Sequence, residues 1–288
     1  MGRDLFDNAE AARRVFEAAD AVRPGTSRTC FEGTDEELQE TGNTQPCMFA
    51  MEMAAVAVLT EAGVKADMAA GFSLGELSAL TYAGAVSLED GLRLVSSRGA
   101  LMGADSKAHP TAMAAVLKLT EEQVVSLCEG YGNVYPVNFN CPGQITVSGD
   151  REEMAAFMKT VKENGGRAIP LKVEGAFHTP YMQNASDAFT AELEKYDFAA
   201  PSIPVYSNCT GGVYGDDVRG TLAMQMCHPV RWETIVRSMI AAGARLFVEL
   251  GPSRTLCTFI SRIDPSVRAV GMAEMKDLDN VIKEVQAC

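Results

Sequence analysis

A short apolar stretch, Asp67-Met68-Ala69-Ala70, runs straight into Gly71-Phe72-Ser73-Leu74-Gly75-Glu76 and then into a helical sequence. No other segment constrains the fold as much. A G-x-S-x-G sequence between a strand and a helix fits a nucleophile elbow, the sharp turn that lifts a serine hydroxyl out of an α/β sheet. It predicts a strand over 67–70 and a helix over 74–81. It makes Ser73 a candidate for a covalent acyl ester. The Leu74 backbone N–H, free at the helix start, is a candidate to stabilise an oxyanion. The plain alternative is that Ser73 is a small residue in an ordinary turn.

The flanking sequence alternates in the way an α/β fold requires. Apolar spacing predicts helices over 8–20, 88–102, 181–196, 222–227 and 232–242. Asn43-Thr44-Gln45-Pro46 reads as a cap with proline in the first turn of a helix ending near 61. The stretch 23–40 reads as polar and turn-rich. Strands are expected over 203–207 and 246–250. This order implies a mostly parallel sheet covered on both faces.

The middle of the chain has another pattern. A strand over 112–119 and a helix over 120–129 come first. A hairpin of 134–138 and 144–148 follows, turning at Cys141-Pro142-Gly143, then a helix over 150–164 and a strand over 167–173. The order β-α-β-β-α-β is that of a ferredoxin-like unit. The expected division is a large α/β domain from 1–108 and 175–288, with 109–174 inserted as a small domain.

Composition narrows the function classes. The net charge of −13 argues against nucleic acid and anionic membrane surfaces as partners. The eight cysteines form no C-x-x-C pair, so neither a zinc site nor any other metal is expected. Their scatter suits a reducing cytoplasm. The start, Met1-Gly2-Arg3-Asp4-Leu5-Phe6, lacks a signal-peptide layout. The apolar run 46–59 is broken by Glu52 and is too short for a bilayer.

A nucleophilic serine needs a base. The three histidines are His109, His178 and His228. His178 follows the strand expected over 167–173, at the strand end where α/β sheets place their sites. His109 and His228 each precede proline and read as loop and helix-end residues. Arg98 shares a helix face with Leu94, Val95, Leu101 and Met102. A guanidinium on an apolar face is costly unless paired. It is either half of a structural ion pair or a clamp for a substrate carboxylate.

With these residues the chain resembles the malonyl-CoA:acyl carrier protein transacylase family of type II fatty acid synthesis. The resemblance runs through Thr44-Gln45-Pro46, the elbow, Arg98-Gly99, Val137-Asn138-Phe139-Asn140, Pro142-Gly143-Gln144, Ala176-Phe177-His178, Asn208, Pro229-Val230 with Trp232, and Glu249-Leu250-Gly251-Pro252. It implies an α/β-hydrolase-like large domain with a ferredoxin-like insertion. It implies an S-malonyltransferase that moves malonyl from malonyl-CoA to the phosphopantetheine thiol of acyl carrier protein, with no cofactor. Ser73 would carry the malonyl ester, His178 would be the base and Arg98 would bind the free carboxylate. The Gln225 backbone carbonyl would orient the histidine, and Leu74 would supply one oxyanion N–H. Phe177 would exclude an α-methyl branch. Lys118, Arg167 and Lys172 are candidates for the local basic surface that an acidic carrier needs.

Two departures from the family pattern bear on this reading. Phe72 stands where most members have histidine, at a position lining the acyl pocket. Members also begin with a strand and a Gly-Gln-Gly-x-Gln loop, whereas this sequence starts just past that point. The loop carries a second oxyanion donor, so the chain as given is expected to have half of the oxyanion hole, a loss worth about 10²–10³ in rate. The alternatives are a polyketide acyltransferase, a non-catalytic or impaired relative, and a carboxylesterase. The last would need its histidine late, after an acid.

Overall fold

Strand β1, Ala69–Ala70, is only two residues long because the chain turns at Gly71 to form the elbow. The computed structural model describes residues 1–173 and 175–288. β1 pairs in parallel with β6, Val205–Tyr206, and the Ala69 N–H reaches back to the Pro204 carbonyl at 2.9 Å. A second parallel ladder joins β7, Leu246–Leu250, to β8, Arg268–Met272. The expected parallel pairing is present, but as two separate two-stranded ladders instead of one sheet. Packing joins them: Ala70, Phe72, Tyr206, Phe247, Ala269 and Trp232 belong to one apolar cluster.

Helices cover the ladders. The helix Thr41–Glu61 is apolar on nearly every face and packs against Leu88–Ala108. Phe49, Ala50, Ala54, Leu94 and Val95 are fully enclosed in this largest core. Among the described residues no helix is long and apolar enough to cross a membrane.

The inserted unit matches its expectation closely. Strands β2 (Thr111–Leu117), β3 (Val134–Cys141), β4 (Gln144–Asp150) and β5 (Arg167–Pro170) form an antiparallel sheet in the order β3-β4-β2-β5. That is the ferredoxin-like order. The helices Glu121–Cys128 and Arg151–Glu163 are capped by Thr120 and Asp150, and bury Val124, Met154, Phe157 and Val161 against the strands. Backbone bonds tie the unit to the large domain: Val230 N–H to Val137 O at 2.8 Å and Phe139 N–H to Val230 O at 2.9 Å. The expected boundary at 174 lies outside the described residues.

Several boundaries differ from the sequence reading, each for a local reason. The stretch 23–40 is not open turn. It holds the helices Thr26–Glu32 and Asp35–Gln39, the second secured by a Thr34–Glu37 capping box. Pro46 is the sixth residue of its helix, not part of the first turn. The helix expected over 8–20 spans Glu10–Val22, and an additional short helix, Arg3–Asn8, precedes it across extended Ala9. The helix expected over 88–102 runs on to Ala108. β8 was not foreseen, because its short Val-Gly-Met run has no clear alternation.

Candidate active site

The elbow begins with a steric demand. A Cβ on Gly71 would lie 1.8 Å from the Gly75 carbonyl carbon, so only glycine fits there. Two residues later Ser73 takes φ 51°, a left-handed conformation that non-glycine residues rarely hold. Asn208, just past β6, fastens the turn on both sides. Its Oδ1 accepts from Ser73 N–H at 2.7 Å and its Nδ2 donates to Gly71 O at 2.6 Å. The helix Gly75–Tyr82 then starts, with Leu74 at its N-cap. Among the described residues nothing accepts a hydrogen bond from the Leu74 N–H.

His178 comes from the loop after β5 and also holds a left-handed backbone, φ 63°. Its Nε2 lies 2.8 Å from Ser73 Oγ. Its Nδ1 is 3.0 Å from the Gln225 carbonyl and 3.1 Å from the His228 carbonyl. Two acceptors at Nδ1 assign the proton there and leave the Nε2 lone pair for the serine. Burial lowers the imidazole pKa to about 4, the Arg98 cation adds to the shift, and the two carbonyls oppose it. The ring is therefore neutral at neutral pH.

Arg98 is 1% exposed. Its Nη1 donates to Gln45 Oε1 at 2.7 Å. Nε and Nη2 donate to Gln225 Oε1 at 3.2 and 2.7 Å, and Nη2 reaches Ser73 Oγ at 3.2 Å. Burial lowers its pKa to about 10, against the pull of Glu76, so the guanidinium stays charged near neutral pH. Among the described residues no carboxylate lies within ion-pair distance of it. That rules out a direct ion pair. Ser73 Oγ thus sits between a fixed cation and a neutral base, the arrangement an acyl-transfer nucleophile needs.

The sequence-expected residues do not all converge. Ser73, Leu74, His178, Arg98 and Gln225 come together. The Phe72 ring meets Trp232 edge-on at 5.7 Å, and Phe177 lies against the large core. His109 is exposed beside Tyr181, with ring centroids 5.3 Å apart. His228 is exposed, its ring held by the Met224 carbonyl, yet its own carbonyl supports His178. Gln45, Glu76, Asn208 and the Gln225 side chain belong to the site network without having been assigned a part in it. The signal for Glu76 was a carboxylate on an otherwise uncharged elbow helix.

Comparison with known proteins gives the family. The acyl transferase domain model matches residues 1–279. The chain belongs to the acyl transferase family. It is 34% identical to the malonyl CoA-acyl carrier protein transacylase of Bacillus subtilis, an alignment covering 99% of this chain and 93% of that protein. The crystal structure of the corresponding Clostridium perfringens transacylase superposes with a TM-score of 0.95 at 34% identity, covering 100% of this chain and 93% of the other. A malonyl-transacylase in complex with a type II polyketide acyl carrier protein gives a TM-score of 0.95 at 32% identity, covering 99% and 94%. This acyl transferase therefore shares the α/β fold of those enzymes over nearly its whole length.

Proposed function

We infer that this acyl transferase moves a malonyl group from malonyl-CoA to the phosphopantetheine thiol of acyl carrier protein, serving fatty acid synthesis. The observation that carries the reading is Arg98. A buried cation whose hydrogen-bond partners are all neutral stands 3.2 Å from the nucleophile. It offers a bidentate fork to a carboxylate on the acyl group. A neutral acyl group would leave that fork without an anion, at a typical loss of a few kcal/mol.

The reaction runs in two halves. His178 Nε2 takes the Ser73 proton as Oγ attacks the thioester carbonyl, and the Leu74 N–H faces the developing oxyanion. The tetrahedral intermediate collapses, the CoA thiolate leaves, and the imidazolium returns a proton to it. In the second half His178 removes the proton of the carrier thiol, the thiolate attacks malonyl-Ser73, and the imidazolium returns the proton to the departing Ser73 Oγ. Two carbonyls at Nδ1 serve here in place of a triad aspartate. The chemistry calls for no cofactor or metal beyond the CoA thioester and the phosphopantetheine thiol of the carrier. Phe177 limits room for an α-methyl branch and Phe72 sets the polarity of the acyl pocket. Exposed Lys118, Arg167 and Lys172 contribute to the carrier surface. Free thiols at all eight cysteines support a cytoplasmic setting.

Intact-mass measurement after mixing with malonyl-CoA tests the reading. A malonyl adduct that is absent from Ser73→Ala and is discharged by holo carrier protein is the expected result. No adduct, or equal labelling by acetyl-CoA, would overturn it. The polyketide complex among the structural neighbours makes carrier choice a second question. Discharging the adduct with fatty acid and polyketide carriers side by side answers it.

A further inference from the structure

Glu76 is a carboxylate with no exposed surface, three residues after the nucleophile. Three donors serve its oxygens. Oε1 accepts from the Asn208 backbone N–H at 2.9 Å and from Tyr214 Oη at 2.7 Å. Oε2 accepts from Gln225 Nε2 in a short hydrogen bond. Burial raises the Glu76 pKa, while the Tyr214, Asn208 and Gln225 hydrogen bonds and the nearby Arg98 cation oppose that shift and favour the ionised form.

The Gln225 side chain is what Glu76 governs. Gln225 Nε2 donates both to Glu76 and to the Ser73 carbonyl, the latter at 2.7 Å. The other end of the amide, Oε1, accepts two hydrogen bonds from Arg98. Turned end for end, the amide would point its NH₂ at a guanidinium and its oxygen at a carboxylate and a carbonyl. Glu76 therefore decides which end faces Arg98. Arg98 and Glu76 form an ion pair with a neutral amide between them. A direct pair would occupy the guanidinium fork with a full negative charge. The bridged pair compensates the buried cation but leaves only amide oxygens on the fork, which an incoming carboxylate can displace.

We propose that Glu76 is a positioning residue for acyl-group selection: through the Gln225 amide it keeps Arg98 charged, oriented and open to the free carboxylate of the substrate. The same contacts hold Gln225 where its backbone carbonyl meets His178, and hold Asn208 against the elbow. Glu76 touches no reacting atom and acts through these two residues. The inference rests on the malonyl reading above, and its experiment separates the two.

The test is Glu76→Gln, which preserves size. The new amide oxygen can still serve Asn208 and Tyr214, but its NH₂ then opposes the Gln225 NH₂. Ser73 acylation is measured from malonyl-CoA and from acetyl-CoA. The ratio of the two kcat/KM values is expected to fall at least about tenfold, the size of a lost charge-assisted hydrogen bond, mostly through KM for malonyl-CoA. A purely structural role would slow both acylations alike and leave the ratio unchanged, which would overturn the proposal. The double variant Glu76→Gln/Gln225→Glu covers a failure of the single variant to fold. It restores a complementary pair but sets a carboxylate directly on Arg98. It is expected to regain thermal stability without regaining malonyl preference. Recovery of that preference would also sink the proposal. If the parent protein itself shows no malonyl adduct, the function reading has failed instead.

Discussion

Ser73 and His178 meet at 2.8 Å while both hold left-handed backbones, at φ 51° and 63°. Neither residue type favours that region, at a typical cost of about 1–3 kcal/mol each. The surrounding contacts hold them there: Asn208 and Gly71 at the serine, and the Gln225 and His228 carbonyls at the histidine. Two strained residues facing each other across a hydrogen bond make a preorganised pair. The pair acts as a unit. Ser73→Ala and His178→Ala should each lower kcat for malonyl transfer by about 10³-fold or more, and the double variant should be little worse than either single one. Steady-state assays of the three variants check this. Additive losses would contradict the coupling.

Arg98 sets the second expectation. Arg98→Ala should cut kcat/KM for malonyl-CoA by about 10²–10³ and leave acetyl-CoA far less affected. Arg98→Lys keeps a charge but loses the planar fork, so it should fall between the two. Competition assays with the two thioesters measure the ratio directly.

The imidazole pKa of about 4 fixes a pH profile. His178 must be neutral to accept the serine proton. The kcat/KM profile should be flat from neutral pH down to about pH 5 and fall below that on one proton. Arg98→Ala should move this limb to higher pH, because the guanidinium is the second cause of the depression. Stability follows with a definite sign. The unfolded histidine takes its proton near pH 6.5, before the native one does. This group's contribution is therefore present above that pH and is lost as pH falls toward 4. Acid unfolding of His178→Gln should show a weaker dependence across that window.

Glu52 acts in the opposite direction. It is a half-buried carboxyl whose partner is the Ser78 hydroxyl, and desolvation raises its pKa to about 7. The native carboxyl keeps its proton between the unfolded value and 7, so its contribution declines as pH rises through that window. Glu52→Gln should raise Tm at pH 8 by about 2–5 °C and change it little at pH 5. Thermal melts at the two pH values check it.

Gly71 is the steric hinge of the elbow. Gly71→Ala would place its methyl within bonding distance of Gly75 backbone atoms, so the turn has to open. A loss of at least about 3 kcal/mol in stability is expected, together with loss of Ser73 acylation. Gly75→Ala is the control. A Cβ there meets nothing within 4 Å, and stability should hold.

Much of this was legible in the linear chain. The elbow, its helix and the ferredoxin-like unit rest on local signals: glycine at a forced turn, capping residues, and apolar periodicity that changes from helix to strand. Ser73 and His178 were visible because a turn motif and a strand end locate them. Arg98 was visible because a charge interrupted an apolar face. The separation of the parallel strands into two ladders was not visible, because pairing between distant short strands leaves no local pattern. β8 went unread for the same reason.

The sequence by itself determined which residues had the chemistry: one serine in an elbow, one histidine after a strand, one arginine on a buried face. Only the tertiary structure decided how the arginine is neutralised. Arg98, Gln225 and Glu76 lie on three different segments, the first two 127 positions apart and the last two 149 positions apart. Buried charges are balanced through space, and chain spacing cannot tell a direct ion pair from one bridged by an amide. The fold chose the bridge, and that choice leaves only neutral oxygens on the guanidinium beside Ser73, which a carboxylate can displace.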